Sequence, residues 1–269
     1  MTTHQRGKIK LLDYWGFIGI HFVPLLAIFT GTFAFDWYLA LALYLIRMFF
    51  ITAGYHRYFS HRTFKTSRVF QFILAYMAQT SMQKGALWWA ANHRIHHKYS
   101  DTPADPHSAK LFGFWYAHVG WIVGPDFKET RYDLIKDMAK YPELVWLNKY
   151  HWVPAASLMV FCLFLGNYVN GAGILDFQAG VSTLLIGFFL STAVLYHGTF
   201  TINSLMHEMG FPRYKTTDES KNSVILALVT LGEGWHNNHH YYQSTARQGF
   251  YWWEIDITYY IIRLLGFFR

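Results

Sequence analysis

Four stretches almost free of charge, each about long enough to cross a hydrocarbon core, restrict this chain of 269 residues to a membrane fold. A helix needs about 20 apolar residues for that crossing. Residues 14–35, 150–175 and 177–207 contain no Asp, Glu, Lys or Arg, and residues 37–55 contain only Arg47. Residues 69–83 form a shorter run, of the length expected for an interfacial or buried helix rather than a span. Charged residues make up 14% of the chain, against roughly a quarter in an ordinary soluble domain. The reading is an all-α integral membrane protein with four transmembrane helices in two hairpins, whose short turns are marked by Asp36 and Asp176.

Basic residues set the expected orientation. All but Arg47 of the 23 Lys and Arg lie before Tyr14, between His56 and Lys149, or after His207. The positive-inside bias then puts residues 56–149 and 208–269 on the cytoplasmic side as a helical cap. The basic start runs into an apolar stretch without a small-residue cleavage site, so a retained span is expected rather than a signal peptide. The lone cysteine, Cys162, falls within a span, which excludes a disulfide framework, a thiolate zinc site and iron–sulfur ligation within the chain. The pI near 9.3 comes from basic residues scattered among aromatics beside the membrane. That pattern suits anionic headgroups or an acidic partner and substrate, not nucleic acid. No repeat, low-complexity tract or linker divides the sequence, so residues 1–269 read as one integrated domain.

Eight of the 15 histidines fall into three clusters: His56 and His61; His93, His96 and His97; His236, His239 and His240. Imidazole is the commonest metal-ligand side chain, and eight exceed the four or fewer protein ligands of a zinc site. Two metals are the natural reading. On a helix, the spacing of His93, His96 and His97 projects all three toward one face, and the third cluster repeats that spacing. His56 and His61 would lie about 140° apart on a regular helix, so the pair is expected to straddle the end of the second span. All three clusters then share one side of the membrane, as a single site requires.

The strings GYHRYFSHRTF at 54–64, WAANHRIHHKYSDTPADPH at 89–107 and GEGWHNNHHYYQSTARQG at 232–249 resemble the three histidine boxes of the membrane fatty acyl desaturases. The similarity is greatest to the Δ9 acyl-CoA desaturases of the stearoyl-CoA type, and it runs from the second span to about Gly249. It implies a site for two iron ions (Fe2+/Fe3+) held by the eight clustered histidines. It further implies His207 as a ninth ligand, Asn203 as a ligand through water, and no catalytic side chain beyond the ligands. Gln83, Trp89 and Thr199 match residues that bend an acyl tunnel. Met48 stands two turns before His56, where animal enzymes carry a small residue near the methyl end of the tunnel, which implies a preference for palmitoyl over stearoyl chains. His107 matches a position beside the ligand set. His4, His21, His118, His151 and His197 read as interfacial or structural. The likeness breaks at the head of the substrate: Ala91 and Asn92 replace an Arg-Asp pair that contacts CoA, and Gly124 and Pro125 replace a basic stretch. Lys84, Arg94, Lys98 and Lys110 are the candidate substitutes.

Removing hydrogen from an unactivated methylene exceeds the power of any side chain, which is why such chemistry is delegated to a metal and O2. Metal-bound imidazoles need partners for their second nitrogen; Asp101, Asp105, Glu208, Asp218, Glu219 and Glu233 are available, and sequence does not pair them. The expected function is O2-dependent insertion of a cis double bond, at C9, into a saturated long-chain acyl-CoA or another acyl thioester or lipid. Electrons would come from a cytochrome b5-, ferredoxin- or rubredoxin-type donor docked on the basic face among membrane lipids. A hydroxylase of alkanes or fatty acids would use the same ligands. A metal transporter would place them near the bilayer midplane, and a bis-histidine heme carrier would rest on His21 and His197 alone. A carboxylate di-iron bundle needs two Glu-x-x-His motifs, and only Glu233 to His236 fits.

Overall fold

In the computed structural model, which describes residues 6–171 and 176–267, the four apolar stretches become helices long and apolar enough to cross a membrane. They are Leu11–Thr30, Ala34–Ser60, Val153–Asn170 and Phe177–Glu208. His4 and residues 172–175, at the expected end of the third span, lie outside the described residues. Among the described residues the only strand-like pairings are isolated bridges from Asn222 to Phe211 and to Trp235.

Lipid offers no hydrogen-bond partner, so polar groups in spans must be satisfied by protein. Both acids expected at turns do this as helix caps. Asp36, fully buried, accepts the N–H of Phe33 at 2.9 Å. It also accepts the hydroxyls of Ser182 and Thr183 and the amide of Asn170, tying the second span to the third and fourth. Asp176 accepts the N–H of Ala179 at 3.1 Å, a side-chain cap on the fourth span. The third and fourth spans approach closely where a β-carbon would not fit. One on Gly166 would lie 2.1 Å from Thr183 Oγ1, and one on Gly180 2.6 Å from the Leu163 carbonyl. Small residues of this kind let membrane helices pack backbone to backbone.

The fourth span is the central one, 72% buried against 11% for the first. Ile20 of the first span packs on its Ala193, Tyr196 and Phe200, and Leu43 of the second meets Cys162 and Phe188. Phe22, Phe29, Leu41, Phe161 and Phe164 face outward, a belt suited to lipid rather than water. Arg47 is buried, its guanidinium donating to the Leu43 carbonyl and to the hydroxyls of Ser191 and Thr192.

The second span outruns its expected end at Tyr55. Its last ten residues, Ile51–Ser60, are wound as a π-helix, and every one of them is buried. Hydropathy falls here while the helix continues, because protein replaces lipid as its surroundings. The short run becomes the helix Arg68–Gln79, capped by Ser67, whose hydroxyl accepts the N–H of Phe70. Its Leu74, Ala75 and Ala78 share a core with Tyr55, Phe59 and Leu87. That core seats the helix Ala86–Tyr99, which carries the second histidine cluster. The C-terminal helix Ile257–Gly266 packs Ile257, Ile261 and Ile262 onto Met48 and Ile51.

Candidate metal centre

Nine histidines converge in two groups, in each of which one ring nitrogen per residue lies within 4.8 Å of the others. His56, His61, His93, His97 and His239 form one group; His96, His207, His236 and His240 form the other. The two HxxHH segments are exchanged between them. From the Ala86–Tyr99 helix, the i, i+4 pair His93 and His97 serves the first group while His96 turns to the second. From the helix His236–Tyr241, the i, i+4 pair His236 and His240 serves the second group while His239 turns to the first. Residues four apart stack along a helix face and the one at i+3 lies off to the side, so each segment bridges the two positions.

His56 and His61 straddle the end of the second helix, as expected, and the helix ends there in a π-turn: His56 lies within Ile51–Ser60 and His61 is its C-cap. The N–H of His61 donates to the His56 carbonyl at 3.2 Å, a bond five residues long that brings the rings to 4.8 Å between centroids. π-helical turns are rare and often mark functional sites.

Four of the six candidate acids hold clustered histidines by a ring nitrogen. Nδ1 of His96 meets Asp105 at 2.9 Å, that of His240 meets Asp218 at 2.7 Å and that of His207 meets Asp101 at 3.3 Å. Glu233 takes Nδ1 of His56. Each contact fixes the proton on Nδ1 and leaves the Nε2 lone pair facing inward, as a metal-bound imidazole requires. The other two acids do not reach the site: Glu219 pairs with Lys110, and Glu208 contributes a backbone carbonyl to Lys221. Glu233 is itself held by Arg57, whose fully buried guanidinium also binds Asp256, and by Gln248 at 3.0 Å. Burial would raise the Glu233 carboxyl, but His56 and Arg57 override it and bring it down to about 2. Arg57, Gln248 and Asp256 escaped the sequence reading, because their contacts with Glu233, His56 and one another join segments far apart in the chain. So did Asn237 and Asn238, between the third-box histidines. The first accepts the N–H groups of Arg213 and Tyr214, and the second donates to the Gln248 carbonyl and to Glu254. A helix of six residues has little stability of its own, and these amides fasten it.

The donor set fits a metal pair. Nε2 of His96 and of His240 are buried without a hydrogen-bond partner. Elsewhere Nε2 atoms face each other at 2.9 Å for His61 and His93, His93 and His97, and His97 and His239. Burial, and then neighbouring imidazoles, hold His61, His93, His97, His236 and His239 well below the usual histidine range. Burial brings His240 to about 4 in spite of Asp218. Neutral imidazoles with unshared lone pairs are donors for Fe, Zn, Cu or Ni. A pH dependence follows. Groups with lowered folded values stay neutral while the unfolded chain takes up protons, so stability is full above the unfolded histidine value of about 6.5 and is lost as pH falls toward 4. Metal content and thermal midpoint, followed together by titration, are expected to decline over that window and to stay level above it.

The histidine groups open onto an apolar cavity. His56, His93, His96 and His236 line it together with Met48, Ile51, Trp89, Thr199 and Asn203. Gln83 donates to Thr199 Oγ1 at 3.1 Å, and Thr199 also bonds the Leu195 carbonyl of its own helix. Trp89 stacks on His93 with centroids 4.8 Å apart. Met48 is a buried part of the lining, with its methyl against Gly198. Asn203 and His207 do not share one regular helix face: the fourth span breaks at Ser204 between Ser191–Asn203 and Leu205–Glu208. His107 stacks on His96 at 4.2 Å.

Ala91 is fully buried and the Asn92 amide donates to the Trp88 carbonyl at 3.0 Å, so neither position faces a substrate head. Of the candidate substitutes, Lys110 is paired with Glu219 and Arg94 with Asp137. Lys84 lies over Trp88 and Lys98 over Tyr99. His21 and His197 touch directly, Nε2 to Nε2 at 2.9 Å, which leaves no room for heme iron between them. Six of the nine clustered histidines lie on helices outside the spans, unlike the midplane ligands of a transporter.

A fatty acid desaturase family model matches residues 14–264. The sn-1 stearoyl-lipid 9-desaturase of Anabaena variabilis is 34% identical over 98% of this chain and 93% of its own length. The acyl-CoA 5-desaturase AL21 of Anemone leveillei is 34% identical over 93% of this chain and 74% of its own. The Delta-9 acyl-lipid desaturase 2 of Arabidopsis thaliana is 36% identical over 94% of this chain and 80% of its own. With its four apolar helices and convergent histidines, this chain belongs to the fatty acid desaturase family.

Proposed function

We propose that the chain is an O2-dependent di-iron desaturase that inserts a cis double bond at C9 of a saturated long-chain acyl thioester, with acyl-CoA as carrier. The observation that carries this reading is the cavity that runs from Met48 to both histidine groups, a slot in which an apolar chain is brought against two metals. Two irons would supply O2 reduction and the oxidant for the methylenes; His56, His61, His93, His97 and His239 would hold one, and His96, His207, His236 and His240, with Asn203 through water, the other. The protein's part is positioning. Gln83 and Thr199 fix one wall, Trp89 closes the chain against His93, and the carboxylates hold the rings at their angles. Burial of the cavity excludes water from the reacting carbons. The positive-inside bias puts the centre on the cytoplasmic side.

An acyl-lipid carrier is the second reading. It is favoured by the buried Ala91 and Asn92, which leave no Arg-Asp contact for CoA, and both carriers occur in the names of the relatives. Fatty-acid profiling by mass spectrometry of cells expressing the chain, with double bonds located by derivatisation, tests the reaction and its position. Fractionation into CoA thioesters and lipids tests the carrier. New C9 monounsaturates carry the proposal, and hydroxylated chains would move it to the hydroxylase branch.

Two further outcomes are expected. Met48→Ala lengthens the cavity, so the product profile shifts from C16 toward C18 chains; an unchanged profile removes Met48 from the length determinants. A recess bordered by Arg94, Lys98 and Ser244 reaches His61 and His97 and suits docking of an acidic electron donor. Lys98→Glu is expected to slow turnover with a ferredoxin or cytochrome donor by roughly tenfold at low salt and to leave turnover with a small chemical reductant unchanged.

A further inference from the structure

Two recesses of unlike character meet at Phe64, Lys65 and Thr66, where the chain leaves the second span for the cap. The first is an apolar trough of about 460 Å³. Phe49 and Ala53, an i, i+4 pair on the second span, line it, while their neighbours Met48, Ile51 and Thr52 line the cavity of the histidine groups. Phe70 and Leu74 come to the trough from the helix Arg68–Gln79, and Ile262 and Leu265 from the C-terminal helix. The second recess, about 490 Å³, is basic: Arg62, Lys65 and Lys140 border it against one acid, Asp137. That acid is already taken, because Arg94 holds its two oxygens at 2.8 and 3.0 Å and Arg62 lies at 3.5 Å. Glu143, on the adjoining helix Pro142–Lys149, is held by Arg68. The recess therefore keeps a net positive charge. Gln71 borders it as well; its Oε1 accepts the Tyr58 hydroxyl at 2.9 Å, and its Nε2 is buried without a hydrogen-bond partner. Native proteins leave few buried donors unused, and this one stands beside three cations.

The pair lies across the border of the membrane. The apolar run of the second span ends at Tyr55, and Phe49 stands six residues before it, about 9 Å along the helix into the hydrocarbon. Arg62 and Lys140 come after that end, in the cap. The C-terminal helix is suited to lie along the same border. Its Leu264 and Leu265 are exposed, as are Phe267 beyond it and Trp252 and Trp253 before it, an apolar and aromatic pattern that belongs at a membrane interface. Both volumes fall within the roughly 300–1,000 Å³ of ligand sites. An apolar trough at hydrocarbon depth that opens on a basic recess at headgroup depth matches the two ends of one kind of molecule, a phospholipid with a net negative headgroup.

We propose that the two recesses together seat one anionic phospholipid, with an acyl chain in the trough and the phosphate among Arg62, Lys65 and Lys140. Basic pockets beside spans on the cytoplasmic side recognise such headgroups, and each Lys or Arg near the surface contributes roughly fivefold in affinity. A zwitterionic lipid brings its own cation to the same place and gains less from these three residues. The seat is separate from the reaction. None of its lining residues borders the cavity of the histidine groups, so its occupancy is read without turnover.

The test uses the purified full chain in nanodiscs of phosphatidylcholine and phosphatidylglycerol with matched palmitoyl-oleoyl chains, without a reductant, so that no lipid is altered. Native mass spectrometry after release from the disc counts the lipids retained per chain as the phosphatidylglycerol fraction rises. One phosphatidylglycerol per chain is expected, retained ahead of phosphatidylcholine by roughly tenfold or more. Lys65→Ala and Lys140→Ala, both at exposed positions, are each expected to cut that preference roughly fivefold. Gly266 borders the trough, and a β-carbon there would meet nothing within 4 Å. Gly266→Leu therefore fills part of the trough without a clash and is expected to weaken retention of both lipids alike. Millimolar inorganic phosphate is expected to leave the lipid in place, and its displacement by phosphate alone would reassign the recess to a soluble anion. Equal retention of the two lipids, or lysine variants that keep the wild-type preference, overturn the seat. If Gly266→Leu does not accumulate, the two exposed lysine positions decide.

Discussion

Replacing His96 by alanine is expected to abolish double-bond formation and to cut bound metal by roughly half or more while membrane insertion stays normal. The second histidine group has four members, and His96 reaches it from the helix whose other two histidines serve the first group. The loss therefore removes one of four ligands and the only link from Ala86–Tyr99 to that position. Asp105, fully buried, loses its imidazole partner as well, keeping only the N–H groups of Asp101 and His107. His96 lies outside every span, so insertion has no reason to change. Asp105→Asn leaves the ring in place and relaxes its orientation, for which a loss of about 10–100-fold in metal affinity or activity is expected. Metal content and product analysis on the same preparations check both variants. Full metal and turnover in His96→Ala would remove it from the ligand set.

The largest stability effect is expected at Arg57. Its guanidinium is fully buried between Glu233 and Asp256, two carboxylates that are themselves buried, and it also donates to the Ala246 carbonyl. Arg57→Ala leaves two acids without their cation in a low-dielectric interior, a change that costs about 3–5 kcal/mol when one partner of a buried pair is removed. Because Glu233 holds Nδ1 of His56, the first metal position should loosen along with the fold. Arg57→Lys keeps the charge but not the fork that reaches both acids, and is expected to recover only part of the loss. Thermal inactivation midpoints, read with metal content, check the pair. An unchanged midpoint in Arg57→Ala would mean that the two acids are satisfied without it.

The histidine groups were legible because metal ligation leaves a local trace: His93, His96 and His97 carry their spacing within a single helix. The spans were legible for a similar reason, since crossing lipid demands a continuous apolar run. What sequence did not disclose depends on contacts far apart in the chain. Asp101 meets His207 across 106 residues and Arg57 meets Glu233 across 176, and no local pattern registers such a pairing. A continuous apolar run ends the second span at Tyr55, whereas the helix itself runs on to Ser60. Residues 51–60 are surrounded by protein, where His56 and Arg57 find buried partners and the helix can widen into a π-turn. The division of each HxxHH segment between two positions was equally hidden. Spacing puts three rings on one face, and only the packing of two such helices against each other decides which ring turns which way.

Nine histidines converge in two adjoining groups, five in one and four in the other, and one metal in each is the centre proposed above. Elemental analysis of the purified full chain, expressed in iron-replete medium and washed free of loosely bound metal, tests it most directly. Two irons per chain are expected. One metal per chain, none, or zinc in place of iron would contradict it.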